Sequence, residues 1–130
     1  MTHVNLSAAG IPENVLNVYM LAHNADRERA DAIFVELHKF FCVASLSNVR
    51  CSPSRVVDEA WHVFLEHDQA YKEYFALAGQ KPLKHIVRAE SSPSAYAATR
   101  ELIRTNFLEP DERFWPCQSD ASTCSPCDSE

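Results

Sequence analysis

The sequence predicts an all-α fold, a single compact bundle of about four helices with a Cys-rich C-terminal tail, and three observations carry that expectation. Apolar residues recur at three- and four-residue steps in successive stretches, the spacing that aligns side chains along one helix face. Only two glycines occur in 130 residues, so the positive-φ turns needed for tight β-hairpins must be scarce. Hydrophobic residues at 46% and charged residues at 23% match a globular protein rather than a disordered or membrane-embedded one.

The elements follow in chain order. In AAGIPENVLNVYMLAHN, Pro12 sits where a first helical turn tolerates it, and Val15, Val18, Tyr19 and Ala22 then define a short first helix. Asn24 and Asp26 are candidate caps for the next helix, whose Ile33, Leu37, Phe40, Phe41 and Ala44 form one apolar stripe against a charged opposite face. Cys42 falls beside that stripe and reads as a small buried hydrophobe. His23 and His38 read as residues of solvated faces.

After the break SNVRCSPSR, Ser52 is a candidate N-cap, with Pro53 at the first position of a long third helix. Its stripe runs through Val57, Trp61, Phe64, Leu65, Tyr71, Tyr74 and Phe75, and Gly79 ends it in the manner of a C-cap. QKPLKHIVRAES reads as a loop because Pro82 excludes a helix interior. Ser92, Pro93 and Ser94 open a fourth helix through Tyr96, Thr99, Leu102, Ile103 and Phe107, closing before Pro110. Phe114 and Trp115 are expected to dock on the body. Residues 1–116 thus read as the helical domain, and residues 117–130 as a Cys-rich tail, partly disordered or metal-bound.

Charge and motifs bound the function. A formal net charge of -6, with no cluster of Lys and Arg, argues against nucleic-acid binding. No apolar run approaches the length of a membrane span, and the N-terminus lacks a basic region followed by an apolar one, so no membrane association and a cytoplasmic location are expected. Five cysteines are an odd number, suggesting thiols or metal ligands more than a disulfide framework.

The stretch VDEAWHVFLEHDQAY concentrates the chemistry. His62 and His67 look at first like the inverted zinc-protease motif, but five helical steps set them roughly 140° apart around the axis, too far to share a metal. Asp58 and His62, four residues apart, share a face beside Trp61. A carboxylate next to an imidazole either orients a metal-binding histidine or is itself a ligand. His85 follows a loop that can double back toward His62, so Asp58, His62 and His85 form a candidate three-ligand zinc site with an open position. Without metal the trio would be a polar network fixing the loop. A second candidate cluster is Cys117, Cys124 and Cys127, the last two as Cys-Ser-Pro-Cys, which suits thiolate ligation or a free-thiol tail.

SPSRVVDEAWHVFLEHDQAYKEYFALAG followed by KHIV resembles the glycine-rich domain-containing protein-like family, in its small bacterial members. The matching positions are Pro53, Ser54, Asp58, Trp61, His62, Tyr71 and His85, with HKFF, YAATRELI and FWP as flanking helices and segment. The resemblance implies that Asp58, Trp61, His62 and His85 belong to one motif. KPLKHIV departs from the family's glycine-aromatic segment, and the long glycine-rich region of plant members is absent, so their nucleic-acid and stress roles do not carry over.

The expected function is therefore a small cytoplasmic helical protein that binds zinc, more a binding protein than an enzyme. The alternative is a non-enzymatic adaptor whose Cys-rich tail is bound or modified by a protein partner. A hydrolase using metal-bound water, with Glu59 or Glu66 as general base, ranks last, because no nucleophile elbow, P-loop or dinucleotide fingerprint occurs.

Overall fold

The computed structural model describes residues 11–46, 51–77, 79, 83 and 93–116. Those residues form five helices and no strand: α1 (Glu13–His23), α2 (Arg27–Leu46), α3 (Arg55–Leu65), α4 (Asp68–Leu77) and α5 (Pro93–Asn106). Among the described residues, no helix is long and apolar enough to cross a membrane.

Helix α2 is the spine, packing against α1, α3 and α5, while α3 also meets α1 and α4. Of its expected stripe, Ile33, Leu37, Phe40 and Phe41 are each at most 2% exposed and Ala44 is partly buried, and Phe34, fully buried, joins them. Burial of each such side chain stabilises the fold by roughly 1.5–3 kcal/mol, so this stripe outweighs any surface pairing. On α1 the buried face is Val15, Leu16 and Tyr19, whereas Val18 and Ala22, expected on it, face outward. Placing Tyr19 at the centre of the face turns residue 18 about 100° away from it.

The caps explain where the helices stop. Asn24 adopts the left-handed conformation (φ 52°) that ends α1, and its N–H bonds the Met20 carbonyl. It therefore closes one helix instead of opening the next. Asp26 opens α2, its Oδ1 accepting from the Arg29 N–H at 2.8 Å. At α3 the N-cap is Ser54, whose hydroxyl accepts from the Val57 N–H at 3.1 Å. Ser52, the expected cap, is buried, and its N–H donates to Thr99 Oγ1 of α5 at 2.8 Å.

The expected long third helix is two helices, which is why five replace four. At Glu66 and His67 the backbone tightens: the His67 N–H bonds Phe64 O at 2.9 Å, and the Val63 carbonyl that helical continuation would use accepts instead from His67 Nδ1 at 3.0 Å. A carbonyl only accepts, so Nδ1 carries the hydrogen. The bend lets Tyr71, Tyr74 and Phe75 fold back on Phe41 and Phe64, with ring centroids 5.0–6.1 Å apart. Gly79 follows α4 in the left-handed conformation (φ 72°), its N–H bonding Ala76 O.

After α5 the chain returns as a strap. Phe114 and Trp115 are 2% and 0% exposed, docked as the sequence predicts. The Trp115 indole donates to buried Glu36 Oε1 at 2.9 Å, Arg100 Nε donates to the Trp115 carbonyl at 3.0 Å, and Tyr96 Oη donates to Pro116 O at 2.6 Å. The tail from Cys117 onward, including its expected state, lies outside the described residues.

Candidate functional site

Asp58 and His62 project from one face of α3, with Asp58 Oδ2 and His62 Nε2 3.7 Å apart. Both are open to solvent, the Asp58 side chain at 33% and the His62 side chain at 51%. Between them in sequence, Trp61 turns inward to 6% exposure and packs on Phe40 and Phe41. The Trp61 indole donates to Tyr71 Oη at 2.9 Å, and that hydroxyl donates to the Leu83 carbonyl at 2.6 Å. A buried indole N–H thus finds a partner, and the relay ties residue 83 to the α3–α4 face. Of the expected metal ligands, the structure brings Asp58 and His62 together, whereas His85, Cys117, Cys124 and Cys127 lie outside the described residues. Among the described residues no group of three or more His, Cys, Asp or Glu is arranged to hold a metal. His67 donates its Nδ1–H to the Val63 carbonyl, and Glu59 faces His23 at 3.9 Å.

Two constellations escaped the sequence reading. The first is a polar cleft of about 400 Å³ where the α1–α2 turn meets α3, lined by Tyr19, His23, Asn24, Asp26, Arg29 and Glu59. His23 stacks on Tyr19 with centroids 4.6 Å apart, and is not merely a surface residue. Burial raises the Tyr19 hydroxyl above its ordinary value while the neighbouring Arg29 guanidinium pulls it down. Arg29 also lies over the Phe114 ring, 4.7 Å from its centroid.

The second is a chain of three side chains between α2 and α4. His38 Nδ1 hydrogen-bonds Tyr74 Oη, and Nε2 lies 3.6 Å from Cys42 Sγ. A thiol, an imidazole and an orienting hydroxyl make the outline of an activated nucleophile, but burial opposes every charged form here. It raises Cys42 and Tyr74 and lowers His38. The trio is a neutral, half-buried network that joins two helices. The spacing of His38 and Cys42 was visible in the sequence; Tyr74, 36 residues away, was not.

A pH dependence follows. In the folded chain His38 binds its proton below the ordinary value of 6.5, so beneath that pH the unfolded chain gains protons that the folded one resists, and stability falls as pH drops. The slope from one such group is at most roughly 1.4 kcal/mol per pH unit. Urea denaturation at pH 7.5 and pH 5 is expected to show a larger acid loss in the wild type than in His38→Gln; equal losses would remove His38 as the cause.

The chain belongs to the UCP032817-like family, whose model matches residues 9–109. No curated protein and no solved structure matches it. This corrects the resemblance to glycine-rich domain-containing proteins, to which nothing in the comparisons points. The short motif behind that resemblance has a local explanation. Ser54 caps α3, and Trp61 and Tyr71 form the relay to Leu83, so these residues dock one helix on its neighbour.

Proposed function

We propose that this domain binds a divalent transition metal, zinc, at Asp58 and His62, with His85 as third ligand and a fourth position open. The observation that carries the reading is the 3.7 Å between Asp58 Oδ2 and His62 Nε2. That is beyond hydrogen-bond length, yet close to the roughly 3.4 Å separating two ligands bound at ~2.0–2.1 Å to one tetrahedral zinc. The Trp61–Tyr71–Leu83 relay supports it, because it holds residue 83 against the helix that carries His62. His85 is two residues further on, a reach of at most roughly 7 Å. The activity is binding; no reaction is assigned.

The full chain, purified without chelator, is expected to carry zinc and to melt lower after EDTA, since a ligand bound only by the folded state stabilises it by linkage. His62→Ala and His85→Ala should each weaken zinc binding by about tenfold or more, while Cys→Ser at 117, 124 and 127 together leaves it intact. Less than about a tenth of an equivalent of metal with unchanged melting, or zinc lost only with the cysteines, would overturn the assignment.

A further inference from the structure

The cleft between the α1–α2 turn and α3 presents opposite charges that do not neutralise one another. Among the described residues, Arg29 makes no ion pair with any carboxylate, although Glu59 lines the same cleft. Among the described residues the ion-pair partner of Glu59 is His23, at 3.9 Å. The guanidinium lies over the Phe114 ring, and the neighbouring Tyr19 side chain is fixed by the stacked His23 and by an edge contact with Phe34. A cation braced in this way loses little side-chain freedom when it meets an anion. A pocket lined by one sign of charge would suit a simple ion. This one has a phenol on α1, a guanidinium on α2 and a carboxylate on α3, with the Asp26 carboxylate already engaged as the N-cap of α2, in about 400 Å³.

We propose that the cleft binds a small zwitterion of the amino-acid class, its carboxylate on Arg29 and the Tyr19 hydroxyl and its ammonium on Glu59. A carboxylate accepts two hydrogen bonds from the fork of one guanidinium, and an ammonium donates to a carboxylate, so both ends are satisfied at once. Glu59 adjoins Asp58, but the zwitterion site uses neither Asp58 nor His62. It stands or falls independently of zinc.

The test uses the full chain in EDTA, titrated separately with glycine, acetate and methylammonium at constant ionic strength and followed by amide chemical shifts. Saturable shifts at Asn24, Ala25 and Arg29 are expected with glycine, at an affinity about fivefold or more above either single-charge probe, the equivalent of one extra charge-assisted bond in an open cleft. Glu59→Gln should weaken glycine about fivefold without weakening acetate. Arg29→Lys, which keeps the charge and loses the fork, should weaken both. No saturable shift with glycine, equal affinity for glycine and acetate or for glycine and methylammonium, or glycine binding untouched in Glu59→Gln would each overturn the proposal.

Discussion

Trp115→Ala is expected to lower stability by about 3–5 kcal/mol, the range for emptying a buried Trp or Phe site. Trp115 is fully buried, stacks on Tyr96 with centroids 6.2 Å apart, and meets Phe40 at 6.4 Å. Its indole also supplies a hydrogen bond to Glu36, a carboxylate only 7% exposed that otherwise relies on Lys39 at 3.1 Å. The alanine variant loses packing and withdraws that donor. Trp115→Phe keeps an aromatic ring at the site while removing the N–H and part of the volume, and should cost less than alanine, with about 1–3 kcal/mol of its loss coming from the acceptor left behind. Urea denaturation measures both, and with a slope of roughly 2 kcal/mol per molar the alanine midpoint should fall by about 2 M. An alanine midpoint within about 0.5 M of wild type would mean that the strap contributes little to the fold. The cleft should respond too: Phe114, the ring beneath Arg29, is held by the same strap, so glycine binding should weaken in Trp115→Ala.

The second large effect is expected at Phe41. Its ring lies within 5.0–6.4 Å of Phe40, Trp61, Phe64, Tyr71, Tyr74 and Phe75, joining α2 to both α3 and α4. Phe41→Ala should cost about 3–5 kcal/mol, because rings supported from so many sides cannot all collapse into the space left. Phe41→Leu keeps much of the volume and should cost about 1.5 kcal/mol or less. Trp61 and Tyr71 sit directly on Phe41 and carry the bond to Leu83. On the zinc reading the alanine variant should therefore also bind metal less tightly under conditions where it remains folded. A loss in Phe41→Ala no larger than in Phe41→Leu would show that α4 is held to the bundle by something other than this ring.

Much of the fold was legible because its signals are local. The stripe of α2 and the Pro93 start of α5 follow from spacing and from the chemistry of one residue. The helix break at Glu66 and His67 was not, since every residue there is tolerated in a helix; a histidine ring taking the Val63 carbonyl, and rings folding back on Phe41, decide it. Ser52 and Ser54 both suit an N-cap, and only Thr99, 47 residues from Ser52, selects between them.

The candidate sites divide along the same line. Asp58 and His62 were readable as a pair because four residues on one helix fix their proximity. The zwitterion cleft and the Tyr74–His38–Cys42 chain were not, because their members come from different helices. By itself, the sequence determined helix content, most of the buried faces and the Asp58–His62 pair, all consequences of backbone geometry over a few residues. Which helix meets which, and so which charges face a common cleft, was decided only in three dimensions, where the rotation of each helix about its axis is set by packing between residues far apart in the chain.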